Sequence, residues 1–296
     1  MTVLPPGAYT ALVTPFTPDG ATVDWAAYER LVEAQLEARV TGLVPTGTTG
    51  ESASLTEPEQ RELVSRAASL AKGRATVVAG IGTNNTKKTI ESAQAAVEAG
   101  AQGVMVVTPY YNKPSQEGLF LHVRAVAEAV SCPVMVYNIP GRSSVELGVD
   151  TMLRILEACP NVVALKDASG GVIYVQELLS RATRNVLVLS GDDALTLPLM
   201  SVGARGVISV TSNLYPRAVS EVVEDALAGR YQEAQSKHRK LYPVHRALFV
   251  EPNPQPIKAA LALKGRANAS VRLPLVEASS ACRATLNEAL RAYEAT

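Results

Sequence analysis

Short apolar runs alternate with longer amphipathic segments along most of the chain. The runs are rich in Val, Ile, Leu and Thr and are almost wholly apolar, which is typical of parallel strands covered on both faces. The pattern predicts eight strands, over Tyr9–Thr14, Thr41–Pro45, Thr76–Gly80, Gly103–Thr108, Pro133–Asn138, Asn161–Lys166, Val186–Ser190 and Gly206–Val210.

The segments between these runs repeat their apolar residues at helical spacing. They predict helices over Asp24–Arg39, Glu57–Ala71, Thr86–Ala99, Gln116–Val130, Val149–Ala158, Val172–Arg181 and Ala194–Val202. Right-handed crossovers between parallel strands can close into a barrel, or they can build a doubly wound open sheet. Eight regular units of similar spacing favour the closed (β/α)8 TIM barrel.

After about residue 212 the strand pattern stops and helical spacing continues. Four helices are predicted there, over Leu214–Ala228, Tyr231–Leu248, Gln255–Leu263 and Pro274–Ala295, with the proline-rich stretch 251–256 as a stiff connector. The first of them completes the barrel. We therefore expect a catalytic barrel over 1–225 and a C-terminal helical region over 226–296, which either caps the barrel or mediates subunit contacts.

Charge and composition exclude several classes of function. The 296 residues include 28 basic and 28 acidic side chains, so no net field attracts nucleic acid or an anionic membrane surface. The three cysteines are widely spaced and form no CxxC pair, and no apolar run approaches the roughly 18 residues that span a bilayer. The N-terminus lacks the features of a secretory signal. We expect a cytoplasmic protein with reduced thiols.

Lys166 is the candidate reactive group because it directly ends the apolar run that begins at Val162. Active sites of (β/α)8 barrels lie at the C-terminal ends of the strands. A lysine directed into the barrel mouth loses hydration, which lowers its pKa and frees the amine to form a Schiff base with a carbonyl. Alternatively, Lys166 pairs with Asp167 or Asp193 and only supports the barrel rim. Position alone does not separate these two interpretations.

Tyrosines and threonines follow other strands. The hydroxyls of Tyr110, Tyr111 and Tyr137 can relay protons, although tyrosines in such loops are also ordinary packing residues. Thr48 and Thr49 lie in a glycine-flanked turn whose hydroxyls and backbone N–H groups suit a carboxylate or a proton relay, or alternatively cap a helix.

Arg142 follows a Pro-Gly turn, where its guanidinium can bind a carboxylate through two hydrogen bonds, unless it is a surface arginine. His122, His238 and His245 lie on predicted helices away from the strand ends, and no HExxH motif supports a metal. Walker A and GxSxG motifs are absent. A lysine among hydroxyls and an arginine, without metal or cofactor, indicates carbonyl chemistry on small carboxylated substrates.

Several motifs occur in the order found in one known family. They are Gly47–Ser52, Thr108–Asn112, Tyr137–Arg142, the strand ending at Lys166, Ser190–Asp193, Gly206–Ser209 and, in the C-terminal region, Val250–Pro254. Over essentially its whole length the chain resembles the dihydrodipicolinate synthases of the pyruvate-dependent lyase superfamily.

The resemblance implies a reaction and a set of catalytic residues. Lys166 would form a Schiff base with pyruvate, and the enamine would attack the aldehyde of L-aspartate 4-semialdehyde. Cyclisation would give 4-hydroxy-tetrahydrodipicolinate, on the diaminopimelate route to lysine. By the same resemblance, Thr48, Tyr137 and Tyr111 form a proton relay, with Tyr111 supplied by a neighbouring subunit.

The resemblance also implies binding residues and an oligomer. Thr49 would hold the pyruvate carboxylate together with the backbone around Ile208. Gly191 would line the pocket, and Arg142 would bind the carboxylate of the semialdehyde. A Tyr111 that crosses an interface requires at least a dimer. Many relatives are tetramers, so we expect a homotetramer built as a dimer of dimers.

Related activities remain as alternatives. Sialic acid lyases usually carry a Gly-Ser-Thr-Gly-Glu turn and lack an arginine at the position of Arg142, so the synthase is favoured over them. The 2-keto-3-deoxy sugar acid aldolases share more of the pattern and are the main alternative. A non-catalytic ligand-binding relative is a further possibility, although such a protein would need no proton relay.

The residues that match the allosteric lysine site of lysine-inhibited members depart from that family's pattern. Two histidines and a glutamate of the family correspond to Glu57, Gln60 and Lys88 here. Lys88 would place a cation near the ammonium group of bound lysine, and like charges repel. Weak or absent feedback inhibition is therefore expected, even though four other positions keep the family's residues: Ser52, Ala53, Asn84 and Tyr110.

Overall fold

A computed structural model describes residues 3–295 and confirms the predicted fold class. Eight parallel strands follow one another in chain order and β8 pairs with β1, so the barrel is closed and the open-sheet alternative is wrong. The strands are β1 Gly7–Ala11, β2 Gly42–Val44, β3 Thr76–Gly80, β4 Gly103–Val107, β5 Val134–Asn138, β6 Val162–Asp167, β7 Leu187–Ser190 and β8 Gly206–Ser209.

Helices surround the barrel. They are α1 Trp25–Glu37, α2 Glu57–Ala71, α3 Thr86–Glu98, α4 Gln116–Glu128, α5 Pro140–Ser143, α6 Val149–Ala158, α7 Val172–Arg181, α8 Thr196–Ser201 and α9 Pro216–Leu227. The first four begin where an oxygen-bearing side chain accepts a hydrogen bond from the first helical turn, at Asp24, Thr56, Asn85 and Ser115. Such caps satisfy N–H groups that a helix leaves unpaired.

Alternate strand residues fill the barrel interior, because successive side chains of a strand point to opposite faces. One buried cluster includes Val44, Met105, Met135, Ala164 and Leu189, each from a different strand. Since Ala164 is in the interior, Lys166 two residues later shares its face. The strand period therefore directs Lys166 into the barrel at its C-terminal end.

The C-terminal region consists of three further helices, α10 Tyr231–Ala247, α11 Gln255–Leu263 and α12 Ser280–Glu294. They share a hydrophobic cluster with residues of the barrel, including Val13, Leu31 and Val210. The last helix was predicted to begin at Pro274, which is wrong, because it begins after Ser279. The Ser279 hydroxyl accepts a hydrogen bond from the Cys282 N–H at 3.1 Å and so sets the start.

Two smaller differences concern the loops after β5 and β7. The segment Ala194–Val202, predicted as one helix, is a 3₁₀ turn over Asp193–Leu195 followed by α8. The helix α5 was not predicted; it begins with Pro140, whose fixed φ suits the first turn of a helix. The predicted domain boundary at residue 225 falls within α9 and stays a prediction. Within residues 3–295, no helix is both long and apolar enough to cross a bilayer.

Candidate active site

Lys166 lies at the C-terminal end of β6 and is 6% exposed. Its neighbour in the sheet register is Tyr137 on β5, and the Lys166 Nζ lies 3.9 Å from the centroid of the Tyr137 ring. Burial lowers the pKa of Lys166 to about 7; Asp193 opposes this shift and Arg142 adds to it. Near neutral pH about half of the amine is therefore uncharged, as a nucleophile requires.

The rim ion pair, the alternative interpretation of Lys166, has no salt bridge within residues 3–295, although the Asp193 carboxylate lies near enough to raise the pKa of the lysine. The Asp193 carboxylate instead accepts hydrogen bonds from the Ser209 hydroxyl and from the N–H groups of Val210 and Thr211. Asp167 follows Lys166 on the strand and so faces outward, where it accepts from the Ser169 hydroxyl at 2.9 Å.

Tyr137 shares the barrel interior with Lys166. Its side chain is 4% exposed, and burial raises the pKa of its phenol. The hydroxyl therefore stays protonated at neutral pH and is able to donate as well as accept. The Tyr137 hydroxyl is therefore a proton donor that carries no charge next to the Lys166 amine.

The turn after β2 places its two threonines differently. Thr48 lines the cavity at the barrel mouth. Thr49 is 4% exposed, and its Oγ1 accepts a hydrogen bond from the Asn253 Nδ2 at 2.9 Å. The helix-cap alternative is wrong for both, because the Thr56 side chain caps α2. The backbone has positive φ angles at Thr46 and Glu51, on either side of the two threonines, and both angles are 56°.

The cavity at the mouth of the barrel has a volume of about 310 Å³. Arg142 lines it, and its Nη2 donates to the Asn253 backbone oxygen at 3.0 Å. A smaller cavity of about 30 Å³ includes Tyr137, the neighbour of Lys166, in its lining. The two cavities share Thr48, Ser52, Gly82 and Val107.

Gly191, directly after β7, adjoins Lys166, and Ile208 lies on β8. A Cβ added at Gly191 would lie 3.1 Å from the Lys166 Cε and 2.9 Å from the Ala168 Cβ, so the lysine stem uses the space that glycine leaves. The Ile208 side chain belongs to the buried cluster inside the barrel and is 1% exposed.

Tyr110 and Tyr111 have separate environments. Tyr110 lines the mouth cavity of its own chain and is 38% exposed. Tyr111 is 88% exposed and has a positive φ of 73°. Among the described residues, the lining of the mouth cavity does not include Tyr111. A non-glycine residue at positive φ, with its ring in solvent, is an outlier that favours a functional constraint.

The histidines correct one expectation. All three lie on helices, but only His122 is away from the ends of the strands. The His238 Nε2 lies 3.2 Å from the Ala194 backbone oxygen after β7, and the His245 Nδ1 lies 2.8 Å from the Thr211 hydroxyl after β8. Burial lowers the pKa of both imidazoles, so these side chains are neutral parts of the packing between α10 and the barrel.

Two features of the site were missed from the sequence. Asn253 bridges Thr49 and Arg142, and its Oδ1 is buried without a hydrogen-bond partner. Glu51 forms a buried ion pair with Lys258 of α11. The stretch around Asn253 was noticed as a stiff connector and as one of the family's motifs, but without a role for Asn253 itself. No local pattern joins Glu51 to a residue 207 positions later.

A (β/α)8 barrel that holds a buried lysine of lowered pKa at the end of β6, next to a phenol, has the features of a Schiff-base-forming lyase. Residues 5–293 match the model of the dihydrodipicolinate synthetase family. The chain belongs to this family, which confirms the prediction made from its motifs.

Named relatives agree with this assignment along nearly their full length. The chain is 56% identical to the 4-hydroxy-tetrahydrodipicolinate synthase of Sorangium cellulosum, over 98% of this chain and 96% of that protein. A chloride-inhibited dihydrodipicolinate synthase from Acinetobacter baumannii, complexed with pyruvate, is 41% identical with a TM-score of 0.95, covering 98% and 99%. The synthase from Cyanidioschyzon merolae with lysine bound is 39% identical with a TM-score of 0.95, covering both chains fully.

Proposed function

We propose that this chain condenses pyruvate with L-aspartate 4-semialdehyde to form 4-hydroxy-tetrahydrodipicolinate, the activity for which its relatives are named. The observation that carries the proposal is the buried amine of Lys166, whose pKa is lowered to about 7. Such an amine is a nucleophile for the keto group of pyruvate at neutral pH.

The first step forms an imine. The Lys166 Nζ attacks C2 of pyruvate, and its lone pair becomes the new C–N bond while the carbonyl oxygen takes a proton. Loss of water from the carbinolamine then leaves the protonated imine. Tyr137 and Thr48 are the groups that we assign to these proton transfers, because the Tyr137 ring adjoins the lysine amine and Thr48 lines the same small cavity as Tyr137.

The second step makes the carbon–carbon bond. Loss of a proton from the pyruvate methyl group gives an enamine, which attacks the aldehyde carbon, and the aldehyde oxygen takes a proton. The amino group of the semialdehyde then adds to the imine carbon and releases Lys166, which closes the ring. Water is the only by-product of the sequence, so no oxidant or reductant is required.

We assign substrate binding to four residues. Arg142, at the mouth cavity, suits the carboxylate of the semialdehyde. Thr49, with the backbone around Ile208, would hold the pyruvate carboxylate; its oxygen accepts from Asn253, but its hydroxyl proton is free to donate. Gly191 leaves the space through which the Lys166 stem passes.

We further propose that Tyr111 acts in the site of a neighbouring subunit. Its ring is 88% exposed in the single chain, and burying that ring against a second copy would remove the exposure. A homotetramer built as a dimer of dimers, working in the cytoplasm, is the assembly that we propose on the resemblance.

A panel of aldehydes tests the second substrate. The purified enzyme is assayed with pyruvate and either aspartate semialdehyde or sugar-derived aldehydes, alongside Lys166→Ala and the exposed control Lys87→Ala. Turnover of the semialdehyde is expected for wild type and Lys87→Ala only. Release of pyruvate from a keto-deoxy sugar acid, with the semialdehyde ignored, would establish the aldolase instead. Pyruvate binding without any adduct or turnover would indicate a ligand-binding protein.

A further inference from the structure

A buried ion pair joins the turn after β2, which carries Thr48 and Thr49, to the C-terminal helices. Glu51 ends the turn that carries Thr48 and Thr49, and its Oε1 pairs with the Lys258 Nζ of α11; both side chains are 1% exposed. The other carboxylate oxygen, Oε2, accepts the backbone N–H of Arg272 at 3.0 Å. Two separate parts of the C-terminal region therefore hold one carboxylate.

The Phe16 ring and the Arg272 guanidinium lie next to this pair. The Lys258 Nζ lies 4.0 Å from the centroid of the Phe16 ring, and the Arg272 guanidinium carbon lies 4.3 Å from the same centroid. A cation over an aromatic face is attracted by the ring quadrupole. Burial lowers the pKa of Lys258 to about 8, and the attraction of Glu51 opposes this shift, so the ammonium form is retained at neutral pH.

The turn has other anchors besides this pair, including the Asn253 Nδ2, which donates to the Thr49 Oγ1 at 2.9 Å. The Thr14 hydroxyl donates to the Gly50 oxygen at 2.7 Å, and the Glu51 N–H donates to the Thr48 oxygen at 3.1 Å. Glu51 also has a left-handed backbone, which a non-glycine residue adopts only when its surroundings hold it there. Its buried side chain is therefore one of the points that fix the backbone next to Thr48 and Thr49, and it ties that backbone to α11.

A buried ion pair of this kind is a weak source of stability. Its desolvation cost offsets much of the attraction, so replacing both partners with neutral residues of similar volume is often neutral or stabilising. Removing one partner is costly, because the other charge is left buried and unpaired. The two charges instead fix how the turn that ends at Glu51 is oriented relative to α11.

We propose that Lys258 is a positioning residue of the active site, which acts through Glu51 to hold the hydroxyls of Thr48 and Thr49 in register with Lys166. The inference rests on the proposed roles of the two threonines. It assigns the C-terminal region a task in catalysis, in addition to any part in capping or assembly.

The test separates stability from positioning with Lys258→Met and the double variant E51Q/K258M. Lys258→Met should lower both the Tm and the activity. In the double variant the new amide oxygen can still accept from the Arg272 N–H, so its Tm should return to within a few degrees of wild type. Its kcat/KM for pyruvate should stay about 10²-fold low, as expected when a catalytic group is displaced by about 1 Å. Lys258→Arg, which keeps the charge, should recover part of the activity.

A matched control removes a partly buried ion pair far from the site. Asp225 pairs with Lys237 at 2.8 Å and with Arg230 at 2.7 Å, between α9 and the start of α10. Asp225→Asn should lower the Tm and leave kcat and KM unchanged. Borohydride trapping with pyruvate should still label Lys166 in E51Q/K258M, because its burial does not depend on the pair.

Two results would overturn the proposal. Recovery of activity together with stability in E51Q/K258M would show that the pair only supports the fold. Failure of that variant to fold would show the same.

Wild-type turnover in the same assay tests the proposed function. If wild type does not use the semialdehyde, the saturation curve for pyruvate trapping on Lys166 still compares the variant with wild type.

Discussion

Lys166→Met is expected to stabilise the fold while it abolishes imine formation. Burial lowers the pKa of this lysine from 10.5 to about 7, so the native state holds a charged Lys166 at a cost that the unfolded chain does not bear. At 1.36 kcal/mol for each tenfold change in the dissociation constant, that cost is about 5 kcal/mol as an upper limit. Methionine has a similar length and carries no charge, so it removes the cost.

The gain should depend on pH in a defined direction. Below pH 7 the Lys166 amine is protonated in both the native and the unfolded states, so the full cost of burying its charge is present. Between pH 7 and about 10.5 the native state has lost the proton that the unfolded state keeps, so wild-type stability rises with pH and the advantage of the variant fades. The gain should be about 5 kcal/mol at pH 6 and below about 1 kcal/mol at pH 10.

Urea unfolding of wild type and variant at both pH values measures this difference. Lys258→Met is the matched control, because it removes a buried lysine that has a partner; it should destabilise the protein by about 3–5 kcal/mol. A Lys166→Met variant that gains nothing at pH 6, or gains equally at pH 10, would refute the reasoning that the amine is held neutral by burial.

Three further predictions address the rest of the site. Gly191→Ala should lower the stability by about 1–3 kcal/mol and reduce imine formation, because a Cβ there meets the lysine stem. Gly171→Ala is the control, since nothing lies within 4 Å of its added Cβ, and it should change neither property. Thermal unfolding and turnover compare the two variants. Mixing Tyr111→Phe and Lys166→Ala subunits should restore about a quarter of wild-type turnover, because half of the random dimers are mixed and each mixed dimer has one complete site of two. If the two variants are inactive and stay inactive when mixed, Tyr111 lies outside its neighbour's site. Calorimetry should detect no lysine binding to wild type at micromolar concentrations and some binding to Lys88→Glu, whereas micromolar inhibition of wild type would contradict the charge argument.

The barrel was predictable from sequence because its signals are local. Apolar runs identify strands, and a period of two carries Ala164 and Lys166 to the same face. The C-terminal helix was misjudged at its start because the amphipathic pattern extends back to Pro274, whereas the cap at Ser279 decides where the helix begins. Local capping chemistry outweighed periodicity there.

The site was predictable only in part. The lowered pKa of Lys166 follows from its place at a strand end, which the sequence shows. The contact of Asn253 with Thr49 and the pairing of Glu51 with Lys258 both join residues more than 200 positions apart. Such contacts depend on how the C-terminal helices pack onto the barrel mouth, and no spacing rule in one sequence encodes that packing.

Borohydride reduction in the presence of pyruvate between pH 5 and pH 9, followed by peptide mass spectrometry, tests whether the uncharged form of Lys166 condenses with pyruvate. This mechanism requires a single adduct on Lys166, with a trapping rate that rises through pH 7 and levels off above it, following the titration of the amine. An adduct on another lysine, no adduct, or a rate that does not change across this range would contradict it.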